Sequence, residues 1–357
     1  MALTHLEMTT WLSSVTITYP PLEIRCPKKV TSNPVQMEAA KGRVIRARAG
    51  FYDVQHDTNI YRCTLRGRVK RQQRSASGQR IYADPLATGD FVVFTPLDND
   101  EGVIEDILPR RTKFSRLHPG KREEIEQIVV ANADQVVAVA STRLPDLNFR
   151  FIDRFLILAE AGGMEAVICI NKFDLVGKKK QRQLRATMDT YLQLGYRVLF
   201  TSVVQSEGVE TLRDALKDKF SVIVGASGVG KSSLLNAVQP GLGLRVGEVG
   251  PKTGKGRHTT TLVELFSLDF GGEVADTPGI REVGLWGVDT DHLEGFFPEM
   301  SPYLGRCRFK DCTHLHEPGC AVMNAMNTNQ ISQRRYQSYV ALRTGNDDEE
   351  TTLECRM

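Results

Sequence analysis

Residues 225–232 read Gly-Ala-Ser-Gly-Val-Gly-Lys-Ser, and this stretch decides the fold of the chain. It matches the phosphate-loop pattern G-x-x-x-x-G-K-[ST]. A β-branched run at 220–224 precedes it, and a helical segment at 232–238 follows it. The glycines let backbone N–H groups turn inward around a phosphate, and the helix N-terminus favours negative charge. The stretch therefore predicts an α/β fold that binds a nucleoside triphosphate.

Two side chains of this loop have roles that follow from their chemistry. Lys231 would reach the β- and γ-phosphates, and the hydroxyl of Ser232 would ligate Mg²⁺. The alternative is a glycine-rich turn that contains a lysine by chance. The strand pattern before the loop and the helix pattern after it favour the nucleotide-binding interpretation.

The composition is that of a globular protein with more than one domain. The chain has 357 residues, of which 41% are hydrophobic and 25% are charged, and domains usually run to about 100–200 residues. The net charge of +3 is too small to indicate a partner, so the placement of the charges matters more. No stretch approaches the roughly 20 apolar residues of a membrane span, and we expect no membrane partner.

Strand and helix patterns alternate from residue 133 onward. Such alternation predicts a mostly parallel sheet with helices on both faces, and ligands bind at the carboxyl ends of its strands. The predicted strands cover 135–140, 166–170, 197–200, 220–224, 262–268 and 273–275, and the predicted helices cover 150–161, 181–194, 209–216 and the segment after the phosphate loop.

Residues 171–174 read Asn-Lys-Phe-Asp and identify guanine as the base. In this N-K-x-D signature, Asp174 would accept hydrogen bonds from guanine N1–H and from the exocyclic amine, which adenine cannot supply. The Asn171 amide can reach the O6/N7 edge, and the Lys172 stem can lie along the base. The motif favours GTP over ATP.

Two more segments complete the predicted GTP site. The backbone N–H groups of Thr201 and Ser202 would close the base pocket. Residues 276–279 read Asp-Thr-Pro-Gly, the D-x-x-G pattern of a second switch. We assign Asp276, together with Ser232, to Mg²⁺.

The order of these motifs is unusual. GTPases generally run from phosphate loop to switch threonine, D-x-x-G, N-K-x-D and base loop, whereas here the last two come first. We therefore predict a circularly permuted G domain whose loops still converge on one edge of the sheet. The second switch then leads toward the carboxyl-terminal domain, so its movement with the γ-phosphate would be passed to that domain.

Residues 41–111 read as short strands separated by turn residues, which suits a small barrel of the oligonucleotide-binding (OB) type. Between residues 62 and 80 the basic residues have no acidic neighbour, which favours contact with an RNA phosphate backbone. The alternative is a solvated, mobile loop. The basic residues are Arg62, Arg66, Arg68, Lys70, Arg71, Arg74 and Arg80.

A metal site is predicted after the second switch. Cys307, Cys312, His314 and Cys320 offer three thiolates and one imidazole within one short segment. Structural zinc takes four nitrogen or sulfur ligands tetrahedrally, so such a set leaves no open position for catalysis. The alternative is a group of free cysteines beside a surface histidine, and His316 is a spare candidate ligand.

The two ends of the chain are less informative. Residues 1–37 are rich in Ser, Thr and Pro and poor in acidic residues. They read as a disordered tail, as a segment before a true start at Met37, or as an organelle transit peptide. The segment 328–343 looks helical, and the acidic run at 347–350 is expected to be disordered.

Taken together, the permuted motifs, the preceding barrel and the following Cys3His set resemble the RsgA (YjeQ) family of ribosome-dependent GTPases. The resemblance covers residues 40–343. It implies that the chain hydrolyses GTP to GDP and that the 30S subunit stimulates this reaction late in 30S maturation. It also implies that the barrel and the Cys3His segment, or zinc knuckle, bind 16S rRNA. It also implies a cytoplasmic monomer, or a plastid stromal one if a transit peptide is present. The implied domains are a tail (1–37), an OB domain (38–113), a permuted G domain (114–298) and a zinc-knuckle domain (299–357).

The resemblance also carries site residues onto this sequence. One of Thr259, Thr260 and Thr261 would close on Mg²⁺ and the γ-phosphate, and the predicted catalytic set is His258, Lys231 and Thr260. Ile280 follows Gly279 at the position where Ras-like GTPases orient water with a glutamine, so we expect slow intrinsic turnover and a role for His258. The implied GTP-binding residues are Asn171, Lys172, Phe173, Asp174, Thr201, Ser202, Gly225, Ala226, Ser227, Gly228, Val229, Gly230, Lys231, Ser232, Ser233, Thr259, Thr260, Thr261, Asp276 and Gly279. The implied zinc ligands are Cys307, Cys312, His314 and Cys320.

Two other functions fit the same motifs. One is an RNA-binding checkpoint that GTP controls and in which hydrolysis is incidental. A hydrolysis-dead variant that still supports ribosome assembly would favour it. The other is a translation-linked GTPase, which would not need the Cys3His set and would sediment with mature 70S ribosomes.

Overall fold

The computed structural model describes residues 38–48, 50–72, 82, 84–117, 125–244, 263–277, 288 and 290–345. Several predicted features lie outside these residues. They are the amino-terminal 37 residues, the first switch at 256–261, the second switch after Thr277 and the acidic run at 347–350.

The amino-terminal region is a closed barrel of five strands in the order β1-β2-β3-β5-β4. Strands β3 and β5 pair in parallel, and the other neighbours pair antiparallel. Because side chains alternate across each strand, Val44, Tyr52, Val54 and Phe94 fill the interior. This confirms the predicted OB-type barrel. Its elements are β1 (Ala40–Arg48), β2 (Phe51–His56), β3 (Asn59–Leu65), α1 (Gly67–Gln72), β4 (Phe91–Pro96) and β5 (Glu101–Ile107).

An antiparallel pair of strands follows the barrel and was not predicted from the sequence. It consists of β6 (Lys113–Leu117) and β7 (Glu126–Ala131). Phe114 and Val130 of this pair join the core of the following sheet. The short runs carry Lys, Arg and Glu among their apolar residues, so tertiary packing rather than a local pattern selects the strand conformation.

The next region is a six-stranded sheet in the order β10-β9-β8-β11-β13-β12, in which only the edge strand β12 is antiparallel. Helices pack on both faces, as the alternating pattern predicts. The parallel strands therefore present their carboxyl ends along one edge. The elements are β8 (Gln135–Ser141), α2 (Phe149–Ala161), β9 (Glu165–Asn171), α3 (Lys178–Gln193), β10 (Arg197–Phe200), α4 (Val209–Leu216), β11 (Phe220–Val224), α5 (Lys231–Val238), β12 (Glu264–Ser267) and β13 (Glu273–Asp276).

Capping and one-sided burial explain where the helices of this region form. Asn148 caps α2, and its side chain accepts a hydrogen bond from the Phe151 N–H at 3.2 Å. In α3 the buried residues are Leu184, Met188 and Tyr191. This spacing places them on one face, so the remaining polar side chains stay in solvent.

The carboxyl-terminal region is built from short helices around a core that also includes Ile157 of α2. Leu293, Phe297, Met300 and Val322 are wholly buried there. The helix expected at 328–343 begins only at Gln333, and α6 precedes it unpredicted. No helix among the described residues is both long and apolar enough to cross a membrane. The elements are 3-10 helices at Thr290–Phe296 and Ser301–Tyr303, then α6 (Ala321–Asn327) and α7 (Gln333–Thr344).

Candidate nucleotide site and metal centre

The phosphate loop leaves β11 at the carboxyl edge of the sheet and leads into α5. All five residues of β11 are buried, which fixes the start of the loop. Gly228 and Gly230 have φ angles of +84° and +98°, a region that favours glycine. A Cβ atom on Gly230 would also lie 2.5 Å from Asn171 Nδ2. The glycines are therefore required by both the turn and a close neighbour.

Lys231 lies folded over this loop. Its Nζ donates to the carbonyl oxygen of Gly225 at 2.7 Å and to that of Ala226 at 3.2 Å. Ser232 and Ser233 follow in the first turn of α5 and are half-buried. The ammonium group thus stands beside the ring of backbone N–H groups that would surround a β-phosphate.

Asn171 joins the phosphate loop to the two loops that would hold the base. Its Nδ2 donates to the carbonyl of Val229 at 2.8 Å, and its Oδ1 accepts from the Thr201 hydroxyl at 3.1 Å. The side chain is only 2% exposed. Asn171 therefore fixes the loops to one another, whereas its predicted role was a contact with the O6/N7 edge of the base.

Lys172 also crosses between loops. Its Nζ donates to the carbonyl of Gly228 at 2.7 Å and to that of Leu144. Burial lowers the pKa of Lys172, and the nearby Asp174 opposes that shift. The aliphatic stem spans the distance from the base loop to the phosphate loop, where it can cover one face of a bound base.

Asp174 is held in place from the neighbouring loop. Its Oδ1 accepts a hydrogen bond from the Ser202 hydroxyl at 2.6 Å. Phe173 is buried beside Phe200, with ring centroids 4.8 Å apart, and anchors the short turn that carries Asp174. One carboxylate edge is thereby oriented, as a bidentate contact with guanine requires.

The roles of Thr201 and Ser202 differ from the expectation. Their backbone N–H groups already donate to Ile170 and Glu207, both at 2.9 Å, and are not free to face a base. The hydroxyl groups instead hold Asn171 and Asp174. The predicted backbone contacts with the base are therefore wrong, because hydrogen bonds to the neighbouring backbone already use both N–H groups. The two side chains contribute instead by positioning Asn171 and Asp174.

Asp276 ends β13 and lies in register with Ile223 on β11. Its Oδ1 is buried and has no hydrogen-bond partner within the described part of the chain. Burial raises the pKa of Asp276, while Lys231 and the Thr277 N–H oppose this shift. An unsatisfied buried carboxylate oxygen beside a phosphate loop fits a hard divalent cation such as Mg²⁺.

Cys307, Cys312, His314 and Cys320 come together, with ligand atoms all within 4.8 Å of one another. His314 Nδ1 lies 3.5 Å from Cys307 Sγ and 3.4 Å from Cys320 Sγ, and the two sulfurs are 3.9 Å apart. Tetrahedral zinc with bonds of ~2.3 Å to sulfur and ~2.0 Å to nitrogen gives edges of ~3.8 and ~3.5 Å. The four side chains fit a metal ion of this kind.

The loop around this cluster is held by side chains whose roles were not predicted from the sequence. Tyr336 donates to the carbonyl of His314 at 2.7 Å, and Tyr339 donates to that of Thr313 at 2.8 Å. Glu317 accepts from the N–H groups of Thr313 and Leu315 at 2.8 and 3.1 Å. Such partners orient metal ligands. The only sequence feature that could have indicated these contacts is the spacing of Tyr336 and Tyr339, which places both on one face of a helix.

The basic run of the barrel is less uniform than it looks in sequence. Arg66 and Arg68 both pair with Glu105 of β5, at 2.8 and 3.4 Å. Arg62 instead lies over the ring of Phe51, with its guanidinium carbon 4.7 Å from the centroid. The side chains of Lys70, Arg71, Arg74 and Arg80 lie outside the described residues. So do His258, Thr259, Thr260, Thr261, Gly279 and Ile280.

Two family models match the chain. The RsgA GTPase model matches residues 107–286, and the RsgA N-terminal domain model matches residues 41–104. The chain is 43% identical over 305 residues to the small ribosomal subunit biogenesis GTPase RsgA of Gemmatimonas aurantiaca, a match that covers 85% of this chain and 96% of that protein. It is 40% identical over 300 residues to the protein of the same name from Moorella thermoacetica, covering 84% and 95%.

Solved structures agree with these matches. YjeQ from Thermotoga maritima aligns with a TM-score of 0.68 and 33% identity, over 87% of this chain and all of that one. YloQ, described as a circularly permuted GTPase, aligns with a TM-score of 0.63 and 30% identity, over 88% and 97% of the two chains. The predicted circular permutation is thus confirmed. The chain belongs to the RsgA GTPase family and is a GTP-hydrolysing enzyme.

Proposed function

We propose that this GTPase acts in late maturation of the 30S ribosomal subunit and binds 16S rRNA while doing so. Its relatives at 43% and 40% identity are named small ribosomal subunit biogenesis GTPases. The observation that carries the GTP-dependent part of the proposal is the bond from Asn171 Nδ2 to Val229 O at 2.8 Å, which joins the guanine motif to the phosphate loop. The same chain holds an OB-type barrel and a Cys3His cluster, both of which serve RNA binding in other proteins.

The proposed roles in GTP binding follow from the positions of the side chains. Asp174, oriented by Ser202, accepts the guanine N–H groups. Lys231 neutralises charge on the β- and γ-phosphates. Ser232 and Asp276 would hold Mg²⁺, which would neutralise further charge on the phosphate oxygens.

The remaining roles rest on the sequence. One threonine of 259–261 would close on Mg²⁺ and the γ-phosphate. Ile280 is apolar and cannot orient water, so we propose that His258 performs that task when the chain is bound to the ribosome. GDP is the product that the chain then releases.

We propose zinc as the metal of the cluster and a structural role for it. The three sulfurs and one imidazole nitrogen complete a tetrahedral shell, so no position is left for substrate. The separations of 3.4–3.9 Å among the ligand atoms of Cys307, His314 and Cys320 support this assignment, and the ligand atoms of all four residues lie within 4.8 Å of one another. Because the cluster shares a core with α6 and α7, zinc binding would contribute directly to folding of this region.

We keep the domains inferred from the sequence, with one refinement. Val288, Leu293 and Phe297 pack in the same core as Val322 and Tyr339. The boundary between G domain and zinc-knuckle domain therefore fits better near residue 288 than near 299.

A ribosomal partner supports a cytoplasmic location, or the plastid stroma if residues 1–37 are a transit peptide. We also propose that the chain is a monomer.

The test is the GTPase rate of the purified chain alone, with 30S subunits and with 50S subunits. We expect a large stimulation by 30S and little by 50S. Lys231→Ala should lose nucleotide binding and turnover under all three conditions. Equal rates with 30S and 50S would overturn the proposed partner.

A further inference from the structure

A groove of about 470 Å³ lies on the outer face of the barrel. Strands β1, β2 and β3 form its floor, and Tyr52 and Val54 point from these strands into the barrel core on the opposite side. The groove is separate from the predicted GTP site and from the Cys3His cluster. It is lined by Arg46, Arg48, Phe51, Asp53 and Arg62.

The strand register explains why these side chains meet. Arg46 lies opposite Asp53 across β1 and β2, and Asp53 lies opposite Arg62 across β2 and β3. Arg48 lies opposite Phe51. Directly opposed side chains on one face of a sheet stand about 4.5–5.5 Å apart at Cβ, so the five form one surface.

The groove combines an exposed ring with an excess of positive charge. Phe51 is 45% exposed, and the guanidinium of Arg62 lies 4.7 Å from its ring centroid. Arg48 and Arg62 form no ion pair with any carboxylate among the described residues. Asp53 is the single acid, and it pairs with Arg46 at 3.6 Å. Aromatic rings flanked by arginines stack bases and pair with phosphates in single-strand-binding proteins.

Arg46 also connects the groove to the G domain. Its Nη2 lies 3.3 Å from Glu264 Oε1 at the start of β12. Glu264 in turn lies opposite Asp276 in the register of β12 and β13. A phosphate bound in the groove competes with Glu264 for Nη2 of Arg46, because Nη1 of the same guanidinium already faces Asp53 at 3.6 Å.

We propose that this groove binds one unpaired nucleotide of single-stranded RNA, with its base on Phe51, and that its phosphate draws Arg46 away from Glu264. The inference rests on the proposed function, since it names how the barrel engages RNA. Without Arg46, the negative charge of Glu264 opposite Asp276 is no longer neutralised. RNA binding to the barrel would in this way affect the GTP site.

The first test measures the affinity of the full chain for a short fluorescein-labelled single-stranded RNA and for the same RNA as a duplex. Phe51→Leu should weaken single-strand binding about five-fold or more. The matched control is Phe91→Leu, because Phe91 is also 45% exposed on the barrel but does not line the groove. Equal affinities of Phe51→Leu and Phe91→Leu, or a preference of the wild type for duplex, would overturn the proposal.

The second test uses two glutamates that each pair with a barrel arginine. Glu264 pairs with Arg46 of the groove, whereas Glu273 pairs with Arg43 outside it. Glu264→Gln should strengthen RNA binding about two- to five-fold, the range of an exposed ion pair, because Arg46 becomes free for phosphate. Glu273→Gln removes the same charge and should leave the affinity unchanged. Equal effects of the two variants would contradict the role of Arg46.

Stimulation by 30S separates this proposal from the proposed function. If 30S stimulates the wild type but Phe51→Leu binds RNA normally, only the groove assignment is wrong. If 30S does not stimulate the wild type, the proposed function itself is wrong. If Phe51→Leu lowers 30S binding without changing RNA affinity, the groove holds a protein and the proposal is overturned.

Discussion

Arg335 and Asp153 form an ion pair that is almost completely excluded from solvent. Arg335 Nη1 lies 2.6 Å from Asp153 Oδ1, and the two side chains are 1% and 0% exposed. Arg335 belongs to α7 and Asp153 to α2, so the pair joins the zinc-knuckle region to the G domain. Tyr191 donates to the same carboxylate at 2.8 Å, and Glu299 accepts from Arg335 Nε at 2.6 Å.

This pair should be essential for stability. Arg335→Met leaves the buried carboxylates of Asp153 and Glu299 without their cation, which costs about 3–5 kcal/mol of the free energy of unfolding. Lys219→Met is the matched control, since Lys219 pairs with Glu165 in an exposed position and should cost less than about 1 kcal/mol. Urea titrations of the full chain measure both. Equal losses of unfolding free energy in Arg335→Met and Lys219→Met would show that burial does not determine how much the Arg335 ion pair contributes to stability.

Base selectivity should depend on Asp174. Asp174→Asn places an amide donor where guanine also presents donors, so GTP affinity should fall by about tenfold or more, and affinity for xanthosine triphosphate should rise. Asp189→Asn on exposed α3 removes the same charge and should change neither affinity. Titration with fluorescent nucleotides measures the ratio. Unchanged GTP binding by Asp174→Asn would exclude this residue from the base pocket.

Ser202 should act on GTP through Asp174. Ser202→Ala removes the 2.6 Å hydrogen bond that orients the carboxylate, so GTP affinity should fall about three- to tenfold. The loss should largely disappear in an Asp174→Asn background, because the hydroxyl then has no carboxylate to hold. Ser206→Ala, in the same loop but exposed, is the control. An additive double variant would mean that Ser202 contacts nucleotide independently.

The sequence predicted those features that local chemistry determines. The phosphate loop is one example, because glycines at Gly228 and Gly230 and a β-branched strand before them leave few alternatives. The barrel, the parallel sheet and the Cys3His set were predictable for the same reason. The β6 and β7 strands were not, since their mixed composition takes its conformation from neighbouring elements.

The roles of individual polar groups depend on tertiary pairing and were harder to predict. Thr201 illustrates this, because a motif places it in the base loop but does not show that Ile170 already occupies its backbone N–H. The buried Arg335 gives no local signal either, since an arginine in a helix is normally solvated. Its two carboxylate partners, Asp153 and Glu299, are distant in the sequence.

Zinc should depend on His314 and not on its neighbour His316. His314 is buried within the cluster, whereas His316 is exposed. His314→Ala should lose most of the bound zinc, measured by elemental analysis, and should lower the thermal stability of the carboxyl-terminal region. His316→Ala should keep about one zinc per chain, the number that one four-ligand site holds. A wild-type preparation without zinc, or zinc loss in both variants alike, would contradict the assignment.

Hydrolysis should depend on His258 only when the ribosome is present. Ile280 offers no polar group to orient water, so the free chain should turn over GTP slowly, with or without the histidine. We propose that binding to 30S brings the His258 imidazole near the γ-phosphate, where it can position water or accept its proton. His258→Ala should therefore lose most of the 30S-stimulated rate, by roughly 10²-fold, while GTP affinity and 30S binding stay close to wild type. His292→Ala, an exposed histidine of the carboxyl-terminal region, is the control. Single-turnover GTP cleavage with saturating 30S measures the effect, and full stimulation of His258→Ala would show that rRNA or a ribosomal protein positions the water.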